Sequence, residues 1–456
     1  MYKRYRGWKR KPRRRPWYFY AALVVGSLIG LELLARLLAN LTGLAPAFSN
    51  QSTDQQTMVD SYQLGFFSPE GKPYEDLPHQ GKLRAVRSPL LGYELVPEQK
   101  STYWTINPQG FRDNEPVPVA KAANEVRIFV LGGSMAFGQL SSNNQATFAN
   151  QLETLLNNQV KDQQANPNRF QPAVLPYTAD EVARVLQRPP RIPERQYRVV
   201  NAAVPGYASG NDLSRLIQEI SLYSPDMVLL LNSYEDLLLP SPYSGADIPG
   251  LDALLSGERE SVDAQIGQTI QGWLNQLYLV QGVQRYLLQL PESQDAEAIP
   301  LNVMTAPGRS SLADNLATDE AELKARVDRY RNHLLQMARW SSASRKRLLI
   351  GLQPEISARS NQQISPAEQA ILAKLGNDYS QRIETSYPKL LEAARQAAQS
   401  SANVQVLDLH QLYASAEEQM FLGPTSLTDQ GYAVLATQFY QSIVDQLAIE
   451  PQPYGS

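Results

Sequence analysis

"RIFVLGGSMAFGQ", residues 127–139, decides how the rest of the chain is read. An apolar run of strand-forming residues, Ile128 to Leu131, breaks into Gly132, Gly133 and Ser134. Glycines at a strand-to-helix turn let the backbone come close to a ligand, and the helix that follows offers free N–H groups to an anion. The stretch therefore fits a nucleophile turn or a phosphate cradle. No Gly-Lys-Ser/Thr follows it, which excludes the Walker pattern, and the three spaced glycines of a dinucleotide loop are missing too. Ser134 is thus a candidate nucleophile, and the issue becomes what activates it.

Working outward, further short apolar runs alternate with helical periodicity. "YRVVNAAV" (197–204), "PDMVLLLN" (225–232), "KRLLIGLQP" (346–354) and "NVQVLDL" (403–409) read as strands. Phe148, Leu152, Leu155 and Leu156 form a helical stripe after the first run. "SPAE" at Ser365–Glu368 is a helix start, with a capping serine, proline at the first helical position and glutamate at the third. "TDQGYAVLATQFYQSIVDQL" reads as an amphipathic closing helix. Strands alternating with helices predict an open, mostly parallel five-stranded sheet covered on both faces, an α/β fold. Two insertions lengthen this frame, at about 160–195 and 239–320; the second carries a stripe of Ile266, Ile270, Trp273, Leu274 and Leu277. In such sheets ligands bind beyond the carboxyl ends of the strands, where "GGS", "VPGY" and "NSYED" all fall.

The 456 residues hold no cysteine, which removes disulfides, thiolate zinc sites and cysteine nucleophiles. Only His79, His333 and His410 can supply an imidazole. The net charge of −3 conceals a polarised chain, since residues 1–15 hold nine Lys/Arg and no acid, leaving 33 basic against 45 acidic residues in the remainder. A basic block can be a nucleic-acid arm. Here it precedes "WYFYAALVVGSLIGL" and an apolar run to Leu44, long enough to span a bilayer, with Trp17, Tyr18 and Tyr20 at the interface and Glu32 and Arg36 one helical turn apart. A cleavable signal peptide ending near "APA" (45–47) is the other reading. The length of the run and its late charges favour an anchor. Residues 1–16 then form a cytoplasmic tail, 17–44 the transmembrane helix, 45–120 a linker-like and then turn-rich extension, and 121–450 the main domain, outside the cytoplasm.

Together these segments resemble the SGNH/GDSL hydrolase family over residues 85–447. "FVLGGSMAFG" is similar to its first block, in a Gly-Gly-Ser variant, with Ser134 at the nucleophile position and Gly138 as the trailing glycine. "VNAAVPGYASGNDL" is similar to the second, with Gly206 at an oxyanion position, and "INPQGFRD" resembles a segment of membrane-anchored members. The resemblance implies a three-layer α/β/α, flavodoxin-like sandwich with ester or acyl-transfer chemistry; in the residues themselves no cofactor or metal site stands out.

Two blocks depart from the pattern. The third places Glu235, followed by Asp236, where the family has the oxyanion asparagine. The last, "GPTSLTDQGY", has Gly423 at the aspartate position and Ser426 at the histidine position. A serine hydroxyl needs a base with an orienting partner, and Ser426 is neither. His410, just past the fifth strand run, is the candidate substitute base; His333 lies mid-helix and His79 precedes the domain. Two functions are therefore expected in competition. One is a membrane-tethered, catalytically degenerate module for binding or assembly in the cell envelope. The other is an active hydrolase or acyltransferase on envelope carbohydrate or lipid esters. The expected partners are the membrane, such an ester ligand and a membrane protein; nucleic acid is not among them.

Overall fold

The computed structural model describes residues 51–67, 81–88, 91–242, 312–359 and 364–454. The chain divides into two compact units, Met1–Gln56 and Thr57–Ser456, and nearly all the described residues belong to the second. The apolar segment 17–44 and the stripe at 266–277 lie outside the described residues, among which no helix is long and apolar enough to cross a membrane.

Five strands form the central sheet: β6 (Glu125–Gly132), β7 (Gln196–Asn201), β8 (Met227–Leu231), β9 (Arg347–Leu352) and β10 (Val404–Asp408). Their order is β7-β6-β8-β9-β10 and every pairing is parallel. The three inner strands, β6, β8 and β9, are largely apolar because both faces are covered; Val228 to Leu231 on β8 and Ile128 to Leu131 on β6 are fully buried. β7 and β10 are the edge strands, and β10 is only half buried.

Helices form the outer layers. α3 (Phe148–Ala165) packs with α9 (Asp429–Leu447), and α7 (Glu320–Ser344) packs with α5 (Ser209–Gln218) and α8 (Pro366–Ala398). This is the expected α/β sandwich. Starts follow the sequence signals: the Thr147 side chain caps α3, and Ser365 and Glu368 make the reciprocal capping box of α8 with Pro366 at its first position.

Before the sheet, the linker-like stretch already contains helix α1 (Gln51–Tyr62). It is followed by β1 (Leu64–Phe67), β2 (Leu83–Ser88) and β3 (Gly92–Leu95), in which β1–β2 is parallel and β2–β3 antiparallel. The hairpin strands β4 (Gln99–Lys100) and β5 (Thr105–Ile106) follow. The first insertion begins later than 160, because α3 continues to Ala165 before a turn and the short helix α4 (Ala179–Leu186). Of the second insertion, 243–311 lies outside the described residues.

Candidate active site

Three sequence blocks meet at the carboxyl edge of the sheet. β6 ends at Gly132, whose φ of +142° suits only glycine and where a Cβ would come within 2.1 Å of the Leu231 carbonyl oxygen. Two residues later the short helix α2 (Ser134–Phe137) begins, so Ser134 occupies its first turn. Gly138 closes that helix in the left-handed region, with its N–H and that of Gln139 donating back to Met135 and Ser134. After β7, Val204–Tyr207 forms a turn closed by the Tyr207 N–H on the Val204 carbonyl. Pro205 and Gly206 (φ +86°) are its central residues, the signature of a type II turn. Glu235 lies on α6 (Tyr234–Leu238), immediately beyond β8.

The extension preceding the sheet holds this turn in place. Arg112, 1% exposed, donates from Nη1 to the Phe137 and Gly138 carbonyls at 3.0 and 2.7 Å, closing the end of α2. Its remaining donors reach Asn144 Oδ1, the Tyr62 hydroxyl, the Tyr103 carbonyl and Ser141 Oγ. Asn201 Nδ2 adds bonds to the Ala136 and Phe137 carbonyls. The carbonyls that a four-residue helix leaves unpaired are thereby satisfied. "INPQGFRD" thus works as a clamp on the Ser134 turn, a role that the sequence alone did not disclose.

At the site itself, the Ser134 N–H donates to Glu235 Oε1 at 3.2 Å. The carboxyl lies tight against Gly133, where a Cβ would stand 2.4 Å from Oε1. A carboxylate oxygen therefore holds the nucleophile's own amide, a donor that acyl chemistry would aim at the developing oxyanion. Ser134 Oγ is buried with no hydrogen-bond partner, as is Glu235 Oε2. Burial is the main cause that raises Glu235 to about 7; the adjacent Asp236 adds to the rise, while its own amide, the Ser134 amide and the Gln353 side chain oppose it. Burial likewise brings Glu355, beyond β9, to about 7 and Asp212 on α5 to about 8. Asp212 accepts from Asn232 Nδ2 at 2.6 Å, which opposes that rise.

Asp236 points into a separate buried network. It accepts from the Ser209 N–H and hydroxyl at 2.9 and 2.7 Å, and Ser209 Oγ lies 2.9 Å from His333 Nδ1. The serine, acid and imidazole here tie α5, α6 and α7 together. Ser209 is fully buried, and no bond joins it to Ser134.

The remaining sequence candidates lie as follows. Ser426, 6% exposed, sits in the loop before α9; its carbonyl accepts from the Leu422 N–H, and the Pro424 carbonyl accepts from Ile356, so the loop packs beyond β9. Gly423 lies beside it, a Cβ there being 3.6 Å from Ser426 Oγ. Neither offers a base. His410 follows the edge strand β10 and stacks on Tyr387, with ring centroids 4.1 Å apart, and burial lowers its pKa. β9 and β8 intervene between its strand and that of Ser134; three strand spacings amount to about 14 Å. Among the described residues no group of His, Asp and Glu is arranged to hold a metal ion.

The strand order, with Ser134 after the first strand of the sheet, Gly206 after the second and Glu235 after the third, is the arrangement that the resemblance to SGNH/GDSL hydrolases implies. No family model matches the sequence, and no curated protein matches it. Among solved structures, the chain is similar to LAE5, an alpha/beta hydrolase enzyme from the metagenome of Lake Arreo, Spain, at 10% identity over 73% of this chain and 99% of that one, TM-score 0.35. It is similar to the acetyl xylan esterase AlAXEase at 9% identity, over 70% of this chain and 100% of that one, TM-score 0.34. It is also similar to the lipase/acylhydrolase from Enterococcus faecalis at 12% identity, over 72% of this chain and 98% of that one, TM-score 0.32.

Proposed function

We propose that this protein is an SGNH-hydrolase-like module without ordinary esterase activity, tethered to a membrane by residues 17–44 and serving a binding or assembly role outside the cytoplasm. The observation that carries the reading is the bond from the Ser134 N–H to the Glu235 carboxyl. An ester's tetrahedral intermediate needs that amide, and a carboxylate beside it opposes the charge that develops; loss of one oxyanion donor costs about 3 kcal/mol. The serine also lacks a base, since Ser426 stands at the histidine position and its own Oγ bonds to nothing. The tether rests on the basic, aromatic and apolar pattern of residues 1–44.

One observation favours the active alternative. Glu235, brought to about 7 by burial and with Oε2 unpartnered, already accepts from the Ser134 amide and carries a carboxyl suited to proton transfer at neutral pH. Hydrolysis of a short-chain nitrophenyl ester by the full chain separates the two readings. The binding reading predicts the same rate for wild type, Ser134→Ala and Glu235→Gln. Turnover lost in both variants overturns it and assigns Glu235 as the base acting on an envelope ester.

A further inference from the structure

The first insertion and the end of the chain share one surface. Leu175 donates its N–H to the Gln452 carbonyl at 2.8 Å, Gln452 donates to Ala173 at 2.9 Å, and Ile449 donates to Arg191 at 2.8 Å. The Tyr177 and Tyr454 rings meet edge to face with centroids 5.4 Å apart. Around this seam five large apolar side chains stand in solvent: Tyr177 (81% exposed), Tyr454 (65%), Val174 (51%), Ile449 and Leu186 (45% each). Only three other large apolar residues among the described ones are so exposed, so these form a patch.

Helix α4 adjoins this seam, the Leu186 carbonyl accepting from Gln171 Nε2, three residues before Val174. Val185 is its one buried residue. Ala179, Ala183 and Leu186, at i, i+4 and i+7, fall on one exposed stripe, small enough at its first two positions for a helix to approach closely. Beside the stripe stand Asp180 in the first turn and Arg184 in the last. Among the described residues neither forms an ion pair, although one turn separates them, and the same holds for Arg188 and Arg195.

We propose that this face is a two-fold self-association surface, on which α4 of a second copy lies antiparallel to α4 of the first. An isologous contact must complement itself. The antiparallel arrangement brings Asp180 of each copy to Arg184 of the other and covers the alanine stripe, with the tyrosine pairs closing the sides. Asp180 and Glu181 at one end of α4 and Arg184 at the other give the helix charges of both signs in a fixed order, which a second copy running antiparallel matches end to end. The contact is independent of whether Ser134 is active.

The cysteine-free chain gives a clean test. Ala183→Cys, near the two-fold axis, is introduced into the full chain in detergent and oxidised mildly, beside Thr385→Cys, an exposed position on α8. The expected result is a disulfide-linked species of twice the 50.9 kDa chain mass for Ala183→Cys only. Adding Arg184→Asp abolishes the linkage, and adding Asp180→Arg to that variant restores it. Linkage no greater than at Thr385→Cys, or linkage unaffected by Arg184→Asp, overturns the proposal. Because all these positions are exposed, an unchanged thermal melt verifies that each variant is folded.

Discussion

Glu235 is the residue on which the account turns, and its fit against Gly133 can be measured. A methyl added at Gly133 would press on the carboxyl at 2.4 Å. Gly133→Ala is expected to lose about 2 kcal/mol of stability, and Glu235→Ala in the same chain to recover most of it. Additive losses in that double-mutant cycle, read by urea unfolding, would mean that the carboxyl does not sit there. At Arg112 the expectation is larger. Its truncation leaves two helix-end carbonyls and several buried acceptors without donors, so Arg112→Ala should cost about 3–5 kcal/mol, while Arg112→Lys recovers little because one ammonium cannot replace a fork of donors. Arg112 was invisible as a clamp in the sequence, since its partners Tyr62, Phe137 and Ser141 are 25 to 50 residues away.

The elements were more legible than the contacts between them. Apolar runs and breaks locate all five sheet strands to within a few residues, most plainly the inner three, because strands buried on both faces are continuously apolar. Gly132 could be read as a turn glycine, and its φ and its approach to Leu231 explain why no other residue fits. Gly132→Ala should therefore destabilise by about 3 kcal/mol or more, seen as a lower denaturation midpoint. The start of the 45–120 extension reads as a linker because it is polar, yet α1 begins inside it at Gln51. His410 shows the limit of position along a chain: it follows a strand, as a site residue should, but strand order sends that strand to the sheet's edge. Order across a sheet is a long-range property that no local pattern encodes.

Across the whole molecule, buried carboxyls couple the fold to pH. Glu235 and Glu355 are raised from 4.5 to about 7, and Asp212 from 3.8 to about 8, burial being the first cause each time. Between the unfolded and folded values the native state holds protons that the unfolded chain has released. Stability therefore falls as pH rises, starting near 4 and continuing until about 8. Thermal melts at pH 5 and pH 8.5 should show the lower midpoint at pH 8.5, and Glu235→Gln with Asp212→Asn should flatten the difference. A midpoint that rises across this range would contradict the burial of these acids.

The most direct measurement is covalent labelling of the full chain with a fluorophosphonate, a probe that captures only an activated serine, read by mass spectrometry at pH 7–8. With its amide held by Glu235 and no base beside its hydroxyl, Ser134 is predicted to carry no adduct. An adduct on the peptide containing Ser134, absent in Ser134→Ala, would contradict the account and return the protein to the working hydrolases.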